Sequence, residues 1–369
     1  ELRERRNTPS TIRSRRRSSP CIPIVRARLV VSRNGAWHHY STSRRGLDSV
    51  PPMAEVTVLD GGMGRELKRI GAPWRQPEWS ALALIESPEH VRRAHVGFAE
   101  AGADLITTNT YAVVPFHIGD ERFAADGHRL AALAGSLARS VADEFGVRVG
   151  CSLPPLMGSY LPDRFVADLA LPILEVLVEA QAPYVDVWIS ETTSSIAEAR
   201  LVRSVLDSFG DGHPLWVSYT LEDETFHADP HDGRAGLALH SSEGVADSPL
   251  LRSGESVTDA VAAAVGMGAE LVAFNCSQPE VMEAAVREAA AAPDVGSRGV
   301  RIGVYANVFE VEEHESANAT VNGLRRDVTP EVYVEFAERW VAAGATMVGG
   351  CCGVGPAHVS ALSARWPRG

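Results

Sequence analysis

From Glu55 onward the chain alternates short apolar, β-branched runs with longer amphipathic stretches. The runs are Val56–Leu59, Leu105–Thr108, Val147–Cys151, Val185–Ser190, Leu215–Thr220, Leu271–Asn275, Ile302–Ala306 and Met347–Gly350. Between them, hydrophobic positions recur at helical spacing in Pro88–Ala101, Arg122–Phe145, Arg164–Ala182, Ser195–Phe209, Val257–Gly266, Pro279–Ala291 and Pro330–Ala343. Strands apolar on both faces and separated by helices belong to a parallel sheet, and eight such units are the number that closes a (β/α)8 barrel of the TIM type. An open doubly wound sheet accounts for the same repeat and stays as the alternative.

Three phrases support the repeat: Ala101-Gly102-Ala103-Asp104, Gly266-Met267-Gly268-Ala269-Glu270 and Ala343-Gly344-Ala345-Thr346. Each stands just before a predicted strand, where a left-handed Gly ends a helix and turns the chain back. The polar, Gly/His/Asp-rich stretch Leu221–Ser256 reads as an expanded loop after strand five. Residues 1–52 show no apolar periodicity and are set apart as a basic extension, either a transit peptide or a segment upstream of a start at Met53. The expected organisation is therefore that extension followed by one catalytic barrel domain, residues 53–369. The corresponding location is cytoplasmic, or organellar if the extension is a transit peptide.

Charge and cysteine usage narrow the function. The formal net charge of −12 hides the extension, which holds 12 Arg against Glu1, Glu4 and Asp48 and leaves the remaining body more acidic still. Such a body repels a phosphate backbone, so nucleic acid is a poor partner. No apolar run approaches the roughly 18 residues needed to cross a bilayer, so no membrane role is expected. Five cysteines, at 21, 151, 276, 351 and 352, are too few and too odd for a disulfide framework.

In a barrel of this type the chemistry sits at the C-terminal ends of the strands. Those ends carry Asp60-Gly61-Gly62, Thr108-Asn109-Thr110-Tyr111, Glu191-Thr192-Thr193, Asn275-Cys276 and Cys351-Cys352. Three thiolates on one rim form a soft donor set that suits zinc and leaves a fourth tetrahedral position for a substrate. Adjacent cysteines on a regular strand point to opposite faces, and Gly349, Gly350 and Gly353 supply the irregular backbone that brings both to one metal. The plain alternative is that all three are packing residues, the role assigned to Cys151. A zinc hydrolase would call for His or carboxylate ligands and a general base, and none of the 12 His forms such a pair at a strand end. A zinc-binding barrel without catalysis is a further alternative.

Together, Leu59-Asp60-Gly61-Gly62-Met63-Gly64, Thr107-Thr108-Asn109-Thr110-Tyr111, Glu191-Thr192, Asn275-Cys276 and Gly349-Gly350-Cys351-Cys352-Gly353 resemble the homocysteine S-methyltransferase family, in order, from about Val56 to Leu362. The resemblance implies a zinc-containing barrel that moves a methyl group to homocysteine and gives methionine. It makes Cys276, Cys351 and Cys352 the zinc ligands and catalytic centre. It assigns Asp60, Gly61 and Glu191 to the amino-acid end of homocysteine, with Thr108 and Asn275 as further substrate contacts. Members of the family that use betaine carry an aromatic residue after the strand-four Glu and a long C-terminal arm; Thr192 stands there, and the given chain stops at Gly369. Cobalamin-dependent members are modules of longer chains. The expected donor is a sulfonium, S-methylmethionine or S-adenosylmethionine, approaching near Tyr305–Phe309, where both aromatics read either as a donor cage or as rim packing.

Overall fold

The computed structural model describes residues 56–223, 248–293, 295, 299–310 and 323–367. The basic extension, Met53, the middle of the long loop after strand five and much of the segment Glu310–Arg326 lie outside the described residues.

Eight parallel strands form one sheet: β1 (Thr57–Val58), β2 (Leu105–Thr107), β3 (Arg148–Leu153), β4 (Val187–Thr193), β5 (Leu215–Tyr219), β6 (Leu271–Asn275), β7 (Arg301–Tyr305) and β8 (Met347–Val348). The order runs β1-β8-β7-β6-β5-β4-β3-β2, and a parallel bridge from Leu59 to Leu105 joins β1 to β2 and closes the barrel. Each predicted run holds one strand. The predicted helices are α3 (Pro88–Glu100), α5 (Asp120–Phe145), α6 (Ala167–Gln181), α7 (Ile196–Phe209), α8 (Val257–Gly266), α9 (Pro279–Ala291) and α10 (Pro330–Ala343). Among the described residues four more were not foreseen: α1 (Met63–Arg69), α2 (Ser80–Glu86), α4 (Pro115–Ile118) and α11 (Pro356–Arg365). They run from four to ten residues, too short for a helical period to stand out in the sequence.

The three Gly phrases behave alike. Gly102, Gly268 and Gly344 have φ of 96°, 69° and 127°, and the next N–H in each case reaches back to a helix carbonyl: Ala103 to Phe98, Ala269 to Ala264 and Ala345 to Trp340, at 3.1, 3.0 and 2.9 Å. That 6→1 bond is the closing bond of a Schellman turn, and it aims the chain into the next strand.

Two apolar layers hold the barrel. Leu59, Leu105, Val187, Ile189, Trp216, Leu271, Ala273, Tyr305 and Met347 fill its interior, while a larger layer packs the outer strand faces against the helices. Acidic residues pin the lower edge: Asp104 accepts from the Val58 N–H at 2.7 Å and Asp186 from the Val149 N–H at 2.8 Å.

Candidate active site

A cavity opens at the C-terminal ends of the strands. Asp60, Gly61, Thr108, Glu191, Cys276, Cys351 and Cys352 all line it, so the fold gathers seven of the eight residues singled out from the sequence. Asn275 does not. It is fully buried, with its amide donating to Thr192 Oγ1 at 2.7 Å and accepting from the Ser218 hydroxyl at 2.8 Å, so it ties β4, β5 and β6 together below the cavity.

The cysteines converge from β6 and β8. Cys276 follows Asn275 with φ 51°, its N–H donates to the Tyr305 carbonyl at 3.2 Å, and the Tyr160 hydroxyl donates to its carbonyl at 2.9 Å. β8 ends at Val348, so Cys351 and Cys352 stand on a turn rather than in a strand. The Cys351 N–H bonds the Ala306 carbonyl, the Cys352 carbonyl accepts from Val308, each at 2.9 Å, and Gly353 turns the chain away at φ 85°. The three sulfurs lie within 4.8 Å of one another.

Cys276 and Cys351 are joined as a disulfide, S–S 2.10 Å, and Cys352 keeps a free thiol. The cysteine count had not suggested a disulfide framework, and this is a single bridge. The fold sets Cα atoms from distant strands 5.6 Å apart, which no local spacing foretells. Cys151, the other free cysteine among the described residues, is buried in the outer layer, as expected of a packing residue. Reduction of the disulfide returns three thiols on one cavity wall. That donor set fits zinc, because sulfurs about 2.3 Å from a tetrahedral ion stand closer together than the observed upper limit, and the open side leaves room for a fourth ligand. Burial pushes the Cys352 thiol up to about 12, with the nearby Arg65 acting in the opposite direction, so this thiol does not ionise unaided near neutrality.

Two carboxylates share the cavity. Asp60 is 2% exposed; it accepts from the Thr107 N–H at 2.7 Å and from the Thr107 hydroxyl at 3.1 Å. It does not cap α1, whose N-cap is Gly62. Burial raises Asp60 well above the usual carboxylate range despite those bonds, and the Glu191 charge adds to the rise. Glu191 accepts from the Ser152 hydroxyl, and burial lifts it to about 6. No Lys or Arg among the described residues pairs with either carboxylate, although Arg65 lines the same cavity. Asn109 adds a third acceptor: its amide N–H2 donates to the Ser80 carbonyl at 3.1 Å, which orients Oδ1 the other way, without a partner among the described residues. An ammonium with three N–H donors suits such a wall.

Further wall residues had not been singled out, among them Arg65, Trp79 and Tyr160. Arg65 lies in the unforeseen α1. The Tyr160 ring lies under the Arg252 guanidinium at 4.3 Å, and Arg252 pairs with Asp223. Phe309 is not in the wall; Arg65 stacks on its ring at 5.0 Å, which takes up the face a cationic donor would need. Tyr305 lies in the wall near the barrel axis rather than on the rim.

Comparison with known proteins gives the family and the fold. The family model for homocysteine S-methyltransferase matches residues 57–366. Homocysteine S-methyltransferase 1 of Arabidopsis thaliana is 26% identical, covering 86% of this chain and 95% of its own length. Homocysteine S-methyltransferase YbgG of Bacillus subtilis is 27% identical, covering 87% and 96%. Crystal structures of the homocysteine methyltransferase MmuM from Escherichia coli, in metallated and oxidized forms, each superpose with a TM-score of 0.64 at 23% identity, over 84% of this chain and 96% of theirs. At that identity the superposition speaks for the barrel fold.

Proposed function

The chain belongs to the homocysteine S-methyltransferase family, and from that premise we propose that it transfers a methyl group from a sulfonium donor to the thiol sulfur of homocysteine, giving methionine. One observation carries the reading: three cysteine sulfurs and two carboxylates that no described Lys or Arg pairs with meet in one cavity. Homocysteine has a thiol at one end and an ammonium at the other, and the cavity offers a soft donor set for the first and an anionic wall for the second.

Reduced Cys276, Cys351 and Cys352 would hold zinc, which supplies the Lewis acidity that turns a thiol into a thiolate at neutral pH. The protein's own groups do the rest. Asp60 and Glu191 take the ammonium, the buried wall keeps water from the sulfur, and the thiolate displaces a neutral thioether from the methyl carbon, so one S–C bond forms as another breaks. Residues 53–369 would form the catalytic unit.

A sulfonium is favoured over betaine because the residue after Glu191 is a buried Thr whose hydroxyl bonds Asn275, with no aromatic face there for a quaternary ammonium. The direct test incubates reduced, zinc-loaded protein with homocysteine and, in turn, S-methylmethionine, S-adenosylmethionine, dimethylsulfoniopropionate and betaine, and measures methionine. Turnover with a sulfonium and none with betaine is expected; no methionine from any donor would overturn the reading.

Glu191→Gln keeps the shape and removes the charge. A hydrogen bond to a charged group is worth about 1.5 to 3 kcal/mol, so kcat/KM for homocysteine should fall on the order of 10- to 100-fold. Zinc content should not change. The control is 4-mercaptobutyrate, homocysteine without its amino group, which should be a poor substrate for both forms and nearly blind to the substitution. Equal loss on both thiols would mean that Glu191 shapes the metal site instead.

The same carboxylate sets a pH dependence. Burial raises Glu191 to about 6, so it is charged above that pH and neutral below it. The ratio of kcat/KM for homocysteine to that for 4-mercaptobutyrate cancels ionisation of the thiol itself, and should fall as pH drops through about 6. A flat ratio between pH 5 and 8 in the wild-type enzyme would remove Glu191 from ammonium recognition.

A further inference from the structure

The cavity wall has an acidic side and a cationic side. Asp60 is held from β2, through the Thr107 N–H at 2.7 Å, and Glu191 from β3, through the Ser152 hydroxyl. Arg65 is placed by β7 and β8 instead. It lies in the first turn of α1, half-buried in the wall, and its guanidinium stacks at 5.0 Å on the ring of Phe309. Phe309 follows Val308, whose N–H bonds the Cys352 carbonyl at 2.9 Å, and Gly62 at the start of α1 abuts the same Cys351-Cys352 turn. In the closed sheet β7 and β8 are separated from β2 and β3 by β1 on one side and by β4, β5 and β6 on the other. Charge follows the same division: the Cys352 thiol is acted on by both Arg65 and Glu191, whereas Arg65 is acted on by Cys352 and by neither acid. The sulfur site therefore stands between the guanidinium and the carboxylates.

That division sorts the two substrates. In homocysteine the ammonium and the carboxylate share one carbon, so an ammonium on Asp60 and Glu191 keeps its carboxylate on the acidic side too. Methyl transfer aligns the attacking sulfur, the methyl carbon and the leaving sulfur, and the donor enters from the side that the homocysteine chain leaves open. Arg65 stands there. Its guanidinium repels a bare sulfonium and also covers the Phe309 face that could have attracted one. A donor that carries a carboxylate replaces that repulsion with a charge-assisted pair, which the planar guanidinium makes well.

We propose that Arg65 is a specificity residue that binds the carboxylate of the methyl donor, so that the cavity accepts sulfonium carboxylates and discriminates against sulfonium cations without an acid group. This deepens the thiol methyltransferase reading and rests on it.

The test supplies reduced, zinc-loaded protein with homocysteine and either S-methylmethionine or (3-aminopropyl)dimethylsulfonium, the same donor without its carboxylate. The wild-type protein should prefer S-methylmethionine. Arg65→Gln should lower kcat/KM for S-methylmethionine on the order of 10- to 100-fold, the scale of a lost hydrogen bond to a charged group, and leave that for the carboxylate-free donor unchanged or raised. Arg65→Lys keeps the charge without the planar fork and should fall between; it carries the comparison if Arg65→Gln does not fold. Zinc content and the dissociation constant of homocysteine, measured by calorimetry without donor, should not change in either variant. Equal kcat/KM for the two donors in the wild-type protein, or equal loss on both in the variants, would overturn the proposal. Weaker binding of homocysteine with unchanged binding of 3-aminopropane-1-thiol, which lacks the carboxylate, would give Arg65 to the acceptor and overturn it as well. A wild-type protein that makes no methionine from either sulfonium fails at the earlier step, the sulfonium reading itself, before any substitution at Arg65 is compared.

Discussion

Cys276→Ala is expected to remove both the metal and the reaction, leaving methionine formation at the level of the uncatalysed mixture. Three sulfurs within 4.8 Å of one another are the whole soft donor set among the described residues, and β6 contributes one of them. With two thiols left, the ion loses a ligand and the thiol of homocysteine loses the Lewis acid that ionises it; a free thiol has a pKa near ~8.5 and is mostly protonated at neutral pH. Reduced wild-type protein should carry about one zinc per chain by elemental analysis, as one tetrahedral site requires. The oxidised form should carry none, since its disulfide uses two of the three donors. Cys151→Ala is the control: this side chain packs in the outer layer, and its loss should leave metal and turnover in place. Full occupancy in Cys276→Ala would sink the ligand assignment.

Gly62→Ala should be nearly as damaging although it removes no functional group. A Cβ on Gly62 would stand 2.5 Å from the Cys351 carbonyl oxygen and 3.1 Å from the Cys352 Cα. Both are backbone atoms held in place, Cys351 by its bond to Ala306 and Cys352 by its bond from Val308, so neither can swing aside as a flexible side chain would. The Cys351-Cys352 turn has to move, and a displacement approaching 1 Å at a reacting centre costs on the order of 100-fold in rate. Zinc affinity, read by competition with a chelator, should weaken in parallel while the far-ultraviolet circular dichroism stays native. Gly266→Ala makes the contrast: nothing lies within 4 Å of its would-be Cβ, so activity should be unchanged. Wild-type turnover by Gly62→Ala would show that the turn adapts and that its fit against β1 is not part of the site.

Much of this was legible in the chain. Eight runs apolar on both faces can only be strands covered on both sides, and the repeated Gly turns before β2, β6 and β8 mark where helices hand over to strands. Strand ends then located the cavity, and the Gly-Gly-Cys-Cys-Gly string singled out the thiols. Even the inward direction of Glu191 follows a period of two, since Val187 and Ile189 fill the barrel interior and Glu191 comes next.

That period fails where the backbone leaves the strand, and there only the tertiary structure decided. Thr192 and Cys276 adopt positive φ, which resets the direction of the side chains beyond them. Asn275 spends its amide on Ser218 and Thr192, a commitment that depends on strands far apart in sequence. Arg65 reaches the cavity from a helix too short to register as a periodic pattern, and its stacking on Phe309 removes an aromatic face that the sequence had left on offer. The upward shift of Asp60 and Glu191 is likewise a property of burial with no paired cation among the described residues, which no residue carries by itself. Residue type and spacing determined which groups stand at the rim. Barrel closure, through strand tilt and register, decided which of them face one another, because distances across the barrel are set by all eight strands at once.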